Sequence, residues 1–240
     1  MNLILDIGNT STKVAFYDKG KKMSSVRLSE YDRDELEAEL SGLVIEKAII
    51  SSTRVIPEFI LSLLFQRIPY VHVLSYKSRF PFGIEYDTPE TLGTDRIAAI
   101  AGAYNLFPGA ELLVIDAGTA LTFEFLSENI YRGGNISPGI AMRFKALNSF
   151  TEQLPLISAK DDYSFPGRNT ADAIRAGVIS GVVYEINEYI RTFEKNRAYY
   201  KIVLTGGDGI FIKERIDYQI TYLPDVVTDG LNYILEYNAE

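Results

Sequence analysis

Residues Leu3 to Asp18 read LILDIGNTSTKVAFYD. An apolar run carries one carboxylate, Asp6, to a cluster of Gly, Asn, Thr and Ser, and a second alternating run leads away from it. Alternation with period two on both sides predicts two strands, and Gly8-Asn9 between them is favoured hairpin-turn chemistry. The same stretch holds the parts of a phosphate cradle. Gly8 permits close backbone approach, the turn N–H groups and the hydroxyls of Thr10, Ser11 and Thr12 can donate to oxygens, and Lys13 adds positive charge. Asp6 would then hold a cation beside the phosphates, directly or through water. Taken alone, the stretch supports hairpin and cradle equally.

A second stretch, Glu111 to Leu126, reads ELLVIDAGTALTFEFL. Aligning Asp6 with Asp116 puts Gly8 on Gly118, and each carboxylate follows an apolar strand and precedes a return strand. An internal repeat about half the chain apart follows. Two donor-rich turns could clamp opposite ends of a polyphosphate. Neither a G-x-x-x-x-G-K-[ST] loop nor a G-x-G-x-x-G after a strand is present, so the P-loop and Rossmann readings lack support.

Between and beyond these hairpins the pattern alternates α and β. Helices are expected over Asp32–Leu40, from Pro57, over 94–107, over 140–150, from Asn169 to about Asn196, near 209–216 and over Asp229–Tyr237; strands are expected over 43–52, 70–76, 199–207 and 218–224. The expectation is an α/β chain of two lobes, 1–108 and 109–240. Arg79 to Gly93, rich in Pro, Gly and Tyr, forms a long loop of the kind that binds ligands.

Composition narrows the chemistry. The chain has 240 residues, 47% of them hydrophobic, enough for a substantial core. It has no cysteine and one histidine, so disulfides, thiolate metal sites, Cys nucleophiles and multi-histidine metal sites are excluded. His72 lies in the strand-like YVHVLSY, where a structural role is expected, so a general base must be a carboxylate. The net charge of −8 argues against wide nucleic-acid contact. No apolar run reaches the roughly 18 residues of a membrane span, and no leader-like segment opens the chain; a cytoplasmic protein is expected.

Three further clusters stand at element ends. Gly93-Thr94-Asp95-Arg96 opens a helix, where the dipole and free N–H groups keep a carboxylate ionised and available as a base; ordinary first-turn acid chemistry explains it as well. Thr205-Gly206-Gly207-Asp208-Gly209 follows a strand, as a tight turn or as a floor on which a flat ring could lie. Asn169 or Thr170 caps the long helix, whose small residues Ala173, Ala176, Gly177, Ser180 and Gly181 suit a dimer interface or a lobe core.

In order, DIGNTSTK, ISSTRVIPEF, YDTPETLGTDR, DAGTALTFE, GGNISPG, GRNTADAIRAG and LTGGDG resemble the type III pantothenate kinases of the actin-like ATPase and sugar kinase superfamily. The resemblance runs over nearly the whole chain and is loosest at DVVTDGLNYIL. It implies two ribonuclease-H-like lobes of mixed sheets flanked by helices around a nucleotide cleft. It also implies a homodimer and the phosphorylation of pantothenate by ATP to 4′-phosphopantothenate, the first step toward coenzyme A. Carried over by position, Asp6, Ile7, Gly8, Asn9, Thr10, Ser11, Thr12 and Lys13 resemble the first phosphate loop, and Thr119 the ATP contact of the second. Gly206 and Gly207 are similar to the segment near adenosine. Asp116 matches the site of a monovalent cation, potassium or ammonium, and Mg²⁺ would join Asp6 at the triphosphate. Tyr86, Gly93, Thr94, Asp95 and Arg96 match the pantothenate contacts, with Asp95 as proton acceptor and Thr170 as a further substrate contact. Some similar proteins are described as accessory factors for transcription, so a nucleotide-dependent regulatory factor is the competing reading.

Overall fold

The computed structural model describes residues 1–8, 10–28, 33–159, 162–195 and 197–239. The chain divides into two compact units, one made from the described residues of Met1–Gly109, Glu128–Arg132 and Asp225–Glu240, the other from Ala110–Ser127 and Gly133–Pro224. The expected lobes are contiguous pieces of chain; the units are not, because the C-terminal helix belongs with the first.

In the first unit, β1 (Asn2–Ile7), β2 (Thr12–Asp18) and β3 (Lys21–Leu28) form an antiparallel meander, and after α1 (Arg33–Glu39) the strand β4 (Lys47–Ser52) lies parallel to β1. Helix α2 (Glu58–Arg67) then leads to β5 (Tyr70–Val73), parallel to β4, giving the order β3-β2-β1-β4-β5. Strand β3 was not expected: its sequence KKMSSVRL is polar and mostly exposed, as an edge strand permits, and offers little apolar alternation. Alternate residues of β1 and β4, including Leu3, Leu5, Ala48 and Ile50, pack with Leu36 of α1 and Ile60 and Leu64 of α2 in one core.

The loop after β5 makes one short strand, β6 (Gly83–Ile84), and a single 3₁₀ turn at Pro89–Thr91 before α3 (Thr94–Leu106). Strand β6 pairs in parallel with Ile130 and Tyr131, and this pairing anchors the loop that carries Tyr86.

In the second unit, β7 (Glu111–Ala117) and β8 (Ala120–Ser127), with β9 (Ile130–Pro138), which belongs to this unit from Gly133 on, repeat the meander. Helices α4 (Ile140–Ser149) and α5 (Thr170–Glu194) follow, then β10 (Tyr200–Thr205), parallel to β7, then α6 (Gly209–Lys213) and β11 (Thr221–Tyr222), parallel to β10. Phe144 of α4, Ile179, Val182, Ile186 and Ile190 of α5 and Ile212 of α6 pack on Leu113, Ile115 and Phe123 of the sheet. No element is expected from the sequence over 131–139, because its glycines and polar residues mask the extended strand β9.

The final helix, α7 (Val226–Ala239), returns to the first unit and lies along α3. A Cβ at Gly230 would stand 1.9 Å from the Ala98 carbonyl oxygen, and one at Gly102 would stand 2.0 Å from that of Val226. The two helices therefore cross at backbone contact, which only glycine allows. Tyr17 fixes the start of α7, its hydroxyl donating to Asp229 Oδ1 at 2.6 Å and lying 3.0 Å from Thr228 Oγ1. No described helix is long and apolar enough to cross a membrane.

Candidate active site

Asp6 stands near the C-terminal end of β1, opposite Lys13 on β2 and beside Ser51 on β4. Ser51 is fully buried; its hydroxyl donates to Asp6 Oδ1 at 3.2 Å and lies 3.0 Å from Thr94 Oγ1. Thr94 donates in turn to the Ser52 carbonyl at 3.2 Å, which ties the first turn of α3 to the end of β4. Gly93 is the N-cap position of α3 and supplies no side-chain cap, and the next carboxylate, Asp95, bends back to accept from the Arg96 N–H at 2.9 Å.

Two carboxylates are thereby held close enough to sense each other. Desolvation, then the charge of Asp95, push the Asp6 carboxyl up to about 6, against the hydrogen bond from Ser51 and the charges of Lys13 and Arg27. Burial likewise raises Asp95, outweighing its hydrogen bond from Arg96. A carboxylate raised toward neutrality is a stronger proton acceptor than a free one. Asp6 with its hydroxyl neighbours also offers the oxygen-only donors that a hard cation takes, and a cation there would relieve the like-charge pair.

Arg96 is buried, its guanidinium 5.8 Å from the Tyr86 ring centroid and its Nη1 3.4 Å from the Tyr86 hydroxyl. Tyr86 in turn stacks on Tyr131, with centroids 6.3 Å apart. The planar guanidinium is thus braced on an aromatic face, pre-organised for a carboxylate.

The turn of the opening hairpin is closed by Gly8 N–H donating to the Ser11 carbonyl at 3.1 Å, and Thr53 N–H donates to the Ile7 carbonyl at 3.1 Å. Thr10 is exposed, Ser11 half-buried and Thr12 buried. Asn9 lies outside the described residues.

In the second unit three strand ends meet at the β7–β8 turn. Gly118 N–H donates to the Ala120 carbonyl at 3.0 Å, Gly139 N–H to the Thr119 carbonyl at 3.1 Å, and Asp208 N–H to the Ala117 carbonyl at 2.9 Å. Gly206 has φ +93°, and a Cβ there would lie 2.4 Å from the Ala117 carbonyl and 2.5 Å from Asp116 Oδ1. Asp116 is half-buried at this junction, while Thr119 and Gly207 are exposed. Backbone carbonyls and one carboxylate make an oxygen-rich set suited to a weakly hydrated cation.

A sequence model of the type III pantothenate kinases matches residues 2–192. The chain belongs to that family. A type III pantothenate kinase from Phocaeicola vulgatus is 42% identical over 240 residues, 99% of this chain and 99% of the relative. Among solved structures, a Campylobacter jejuni protein assigned to the Baf family of transcriptional activators is 26% identical, with TM-score 0.64 over 99% of this chain and 98% of its own. A Sinorhizobium meliloti protein assigned as a 2-dehydro-3-deoxygalactonokinase has TM-score 0.60 at 13% identity, covering 100% of this chain and 98% of its own, and shows the sugar-kinase fold alone.

Within this kinase the expected residues fall into groups. The first unit brings together Asp6, Lys13, Thr94 and Asp95, and sets Tyr86 against Arg96. The second brings together Asp116, Thr119 and Gly206. Thr170 is carried on a different element, as the exposed first residue of α5, and its neighbour Asn169 is the cap, accepting from the Asp172 N–H at 2.9 Å. Two residues at these junctions carry no individual role in the sequence reading: Ser51 lies in ISSTRVIPEF, where a hydroxyl closing a buried apolar strand is a signal, and Gly139 lies in GGNISPG.

Proposed function

We propose that the kinase transfers the γ-phosphoryl group of ATP to the primary hydroxyl of pantothenate, forming 4′-phosphopantothenate, with Asp95 as proton acceptor. Family membership supports the reaction, and the observation that carries the residue assignment is the linked set Asp6, Ser51, Thr94 and Asp95. Phosphoryl transfer asks the protein to align the acceptor, hold charge and take a proton. The turn from Asp6 to Lys13 holds phosphate oxygens through N–H groups, hydroxyls and the Lys13 ammonium. Arg96, braced on Tyr86, meets the pantothenate carboxylate. Gly93 and Thr94 line the acceptor, and Asp95 receives the hydroxyl proton as the new P–O bond forms and the bond from the γ-phosphorus to the β,γ-bridging oxygen breaks, releasing ADP. Asp116 and the adjoining carbonyls would hold potassium or ammonium, Thr119 contacts ATP, and Gly206 and Gly207 lie along the adenosine. Asp6 would hold Mg²⁺, directly or through water, and the ion would supply charge neutralisation at the triphosphate. The proposal includes a cytoplasmic homodimer of two-lobed chains in which Thr170 contributes to the substrate pocket.

The test mixes protein, ATP, Mg²⁺ and pantothenate in potassium and then sodium buffer and weighs the product by mass spectrometry. Phosphopantothenate forming faster in potassium is expected. Equal rates in both salts would remove the cation site, and no product would remove the reaction.

The likeness to the C. jejuni protein favours one second reading, a nucleotide-dependent accessory factor. It predicts a protein partner retained only with nucleotide and no turnover of pantothenate.

A further inference from the structure

Lys13 faces Asp6 across the β1–β2 ladder, so the two side chains leave the sheet on the same face, and the Lys13 charge acts on Asp6. Its ammonium is held elsewhere. Lys13 Nζ donates to Asp225 Oδ1 at 2.8 Å, and Lys22 Nζ on β3 pairs with the other oxygen, Asp225 Oδ2. Asp225 is the residue at which the chain re-enters the first unit, just ahead of α7.

We propose that Asp225 and Lys22 are positioning residues of the nucleotide site: they hold the Lys13 ammonium in an ion pair that phosphate must displace, and so set the affinity for ATP. The inference rests on the reading of the Asp6–Lys13 hairpin as phosphate-binding. The side chains of Lys13, Lys22 and Asp225 are 21%, 29% and 28% exposed, so the pair is partly screened and open to exchange. A triphosphate offers Lys13 more negative charge than one carboxylate does. When Lys13 turns to it, Lys22 remains on Asp225, and the carboxylate is not left without its second cation. Burial acts to raise the Asp225 carboxyl, but the hydrogen bonds from both lysines outweigh it and hold it below the ordinary Asp value, so it stays an anion competing with phosphate.

Opposite signs follow for the two neighbours. Asp225→Asn removes the competitor, and Lys22→Met leaves Lys13 as the counter-ion that Asp225 cannot release. The Asn variant keeps the local backbone, because Asp229 N–H and the Thr228 hydroxyl bond to the Asp225 carbonyl at 2.8 and 3.0 Å rather than to its carboxylate.

The experiment titrates a non-hydrolysable ATP analogue with Mg²⁺ into the full-length protein calorimetrically, with thermal unfolding as a check that each variant folds. Asp225→Asn is expected to bind about two- to five-fold tighter and Lys22→Met weaker by a similar factor. Lys13→Met should weaken binding about tenfold. On the Lys13→Met background both neighbouring substitutions should have no effect, since each acts through Lys13. A purely structural role would weaken binding in both single variants and overturn the inference. Shifts that persist on the Lys13→Met background would overturn it too, because they would arise from long-range charge. Unchanged affinity in Lys13→Met alone would instead remove the phosphate-binding reading of the hairpin, and the inference with it.

Discussion

The two hairpins share one plan and differ in how their turns are built. The sheet order β3-β2-β1-β4-β5 is repeated as β9-β8-β7-β10-β11, and each hairpin carries an Asp at the same place in its first strand. Around the first turn the neighbours are side chains: the hydroxyls of Ser51 and Thr94, the Lys13 ammonium and the Asp95 carboxylate. Around the second they are backbone, with Gly139 and Gly206 pressed against the carbonyls of residues 117–119. A turn lined by titratable groups suits charge and proton transfer. A turn lined by carbonyls suits a fixed, oxygen-coordinated ligand and tolerates little change.

The largest expected effect tests the first turn. Asp95→Asn should lower kcat about 10²–10⁴-fold while leaving affinity for a non-hydrolysable ATP analogue unchanged, as loss of a general base requires. Normal turnover would strip the first turn of its proton chemistry.

Next in size is the second turn. Gly206→Ala meets both a φ of +93° and a backbone carbonyl 2.4 Å from the new Cβ, and should destabilise the protein by about 1–3 kcal/mol, read as the midpoint of urea unfolding. A wild-type midpoint would mean that the junction is looser than its geometry.

A smaller effect separates the carboxylates. The folded state keeps the Asp6 proton up to about pH 6, whereas an unfolded Asp releases it near 3.8. The folded state thus binds more protons across that window, and the Asp6 contribution to stability falls as pH rises through it. Ligand-free Asp6→Asn should therefore melt above the wild type at pH 7.5, with the gap closing toward pH 4. A gap independent of pH would locate its origin outside Asp6 ionisation.

The smallest effect returns to the first turn. Among the described residues a Cβ at Gly8 would meet only the Ser11 carbonyl, at 3.3 Å, so Gly8→Ala should change stability by no more than about 0.5 kcal/mol while raising the KM for ATP. A loss of stability as large as that of Gly206→Ala would erase the contrast between the turns.

Much of this plan is readable in the sequence. The strands of both hairpins announce themselves by apolar runs, as does helix α5 by its spacing, because burial dictates residue type directly. Strands β3 and β9 were not readable: an exposed edge and a Gly-rich strand leave no apolar period. At the candidate site, motif order singles out Asp6, Asp95, Asp116 and Gly206, but not their connections. The Ser51 bridge and the Asp225 ion pair join residues far apart in the chain, and local pattern carries no information about such pairs. The placement of α7 escaped for the same reason, since Gly230 looks like a weak point in a helix until Ala98 is found against it.

That crossing of α3 and α7 has a consequence for synthesis. Domains ordinarily complete their folding in the order in which they leave the ribosome. Here the helix that carries Asp95 must wait for residues 225–239, by which time the entire second unit has been translated. Until then one face of α3, small-residued and apolar from Ala98 to Ala103, has no α7 to cover it. The nascent chain thus passes through a stage in which its second unit has been made while α3 still lacks the helix that covers it.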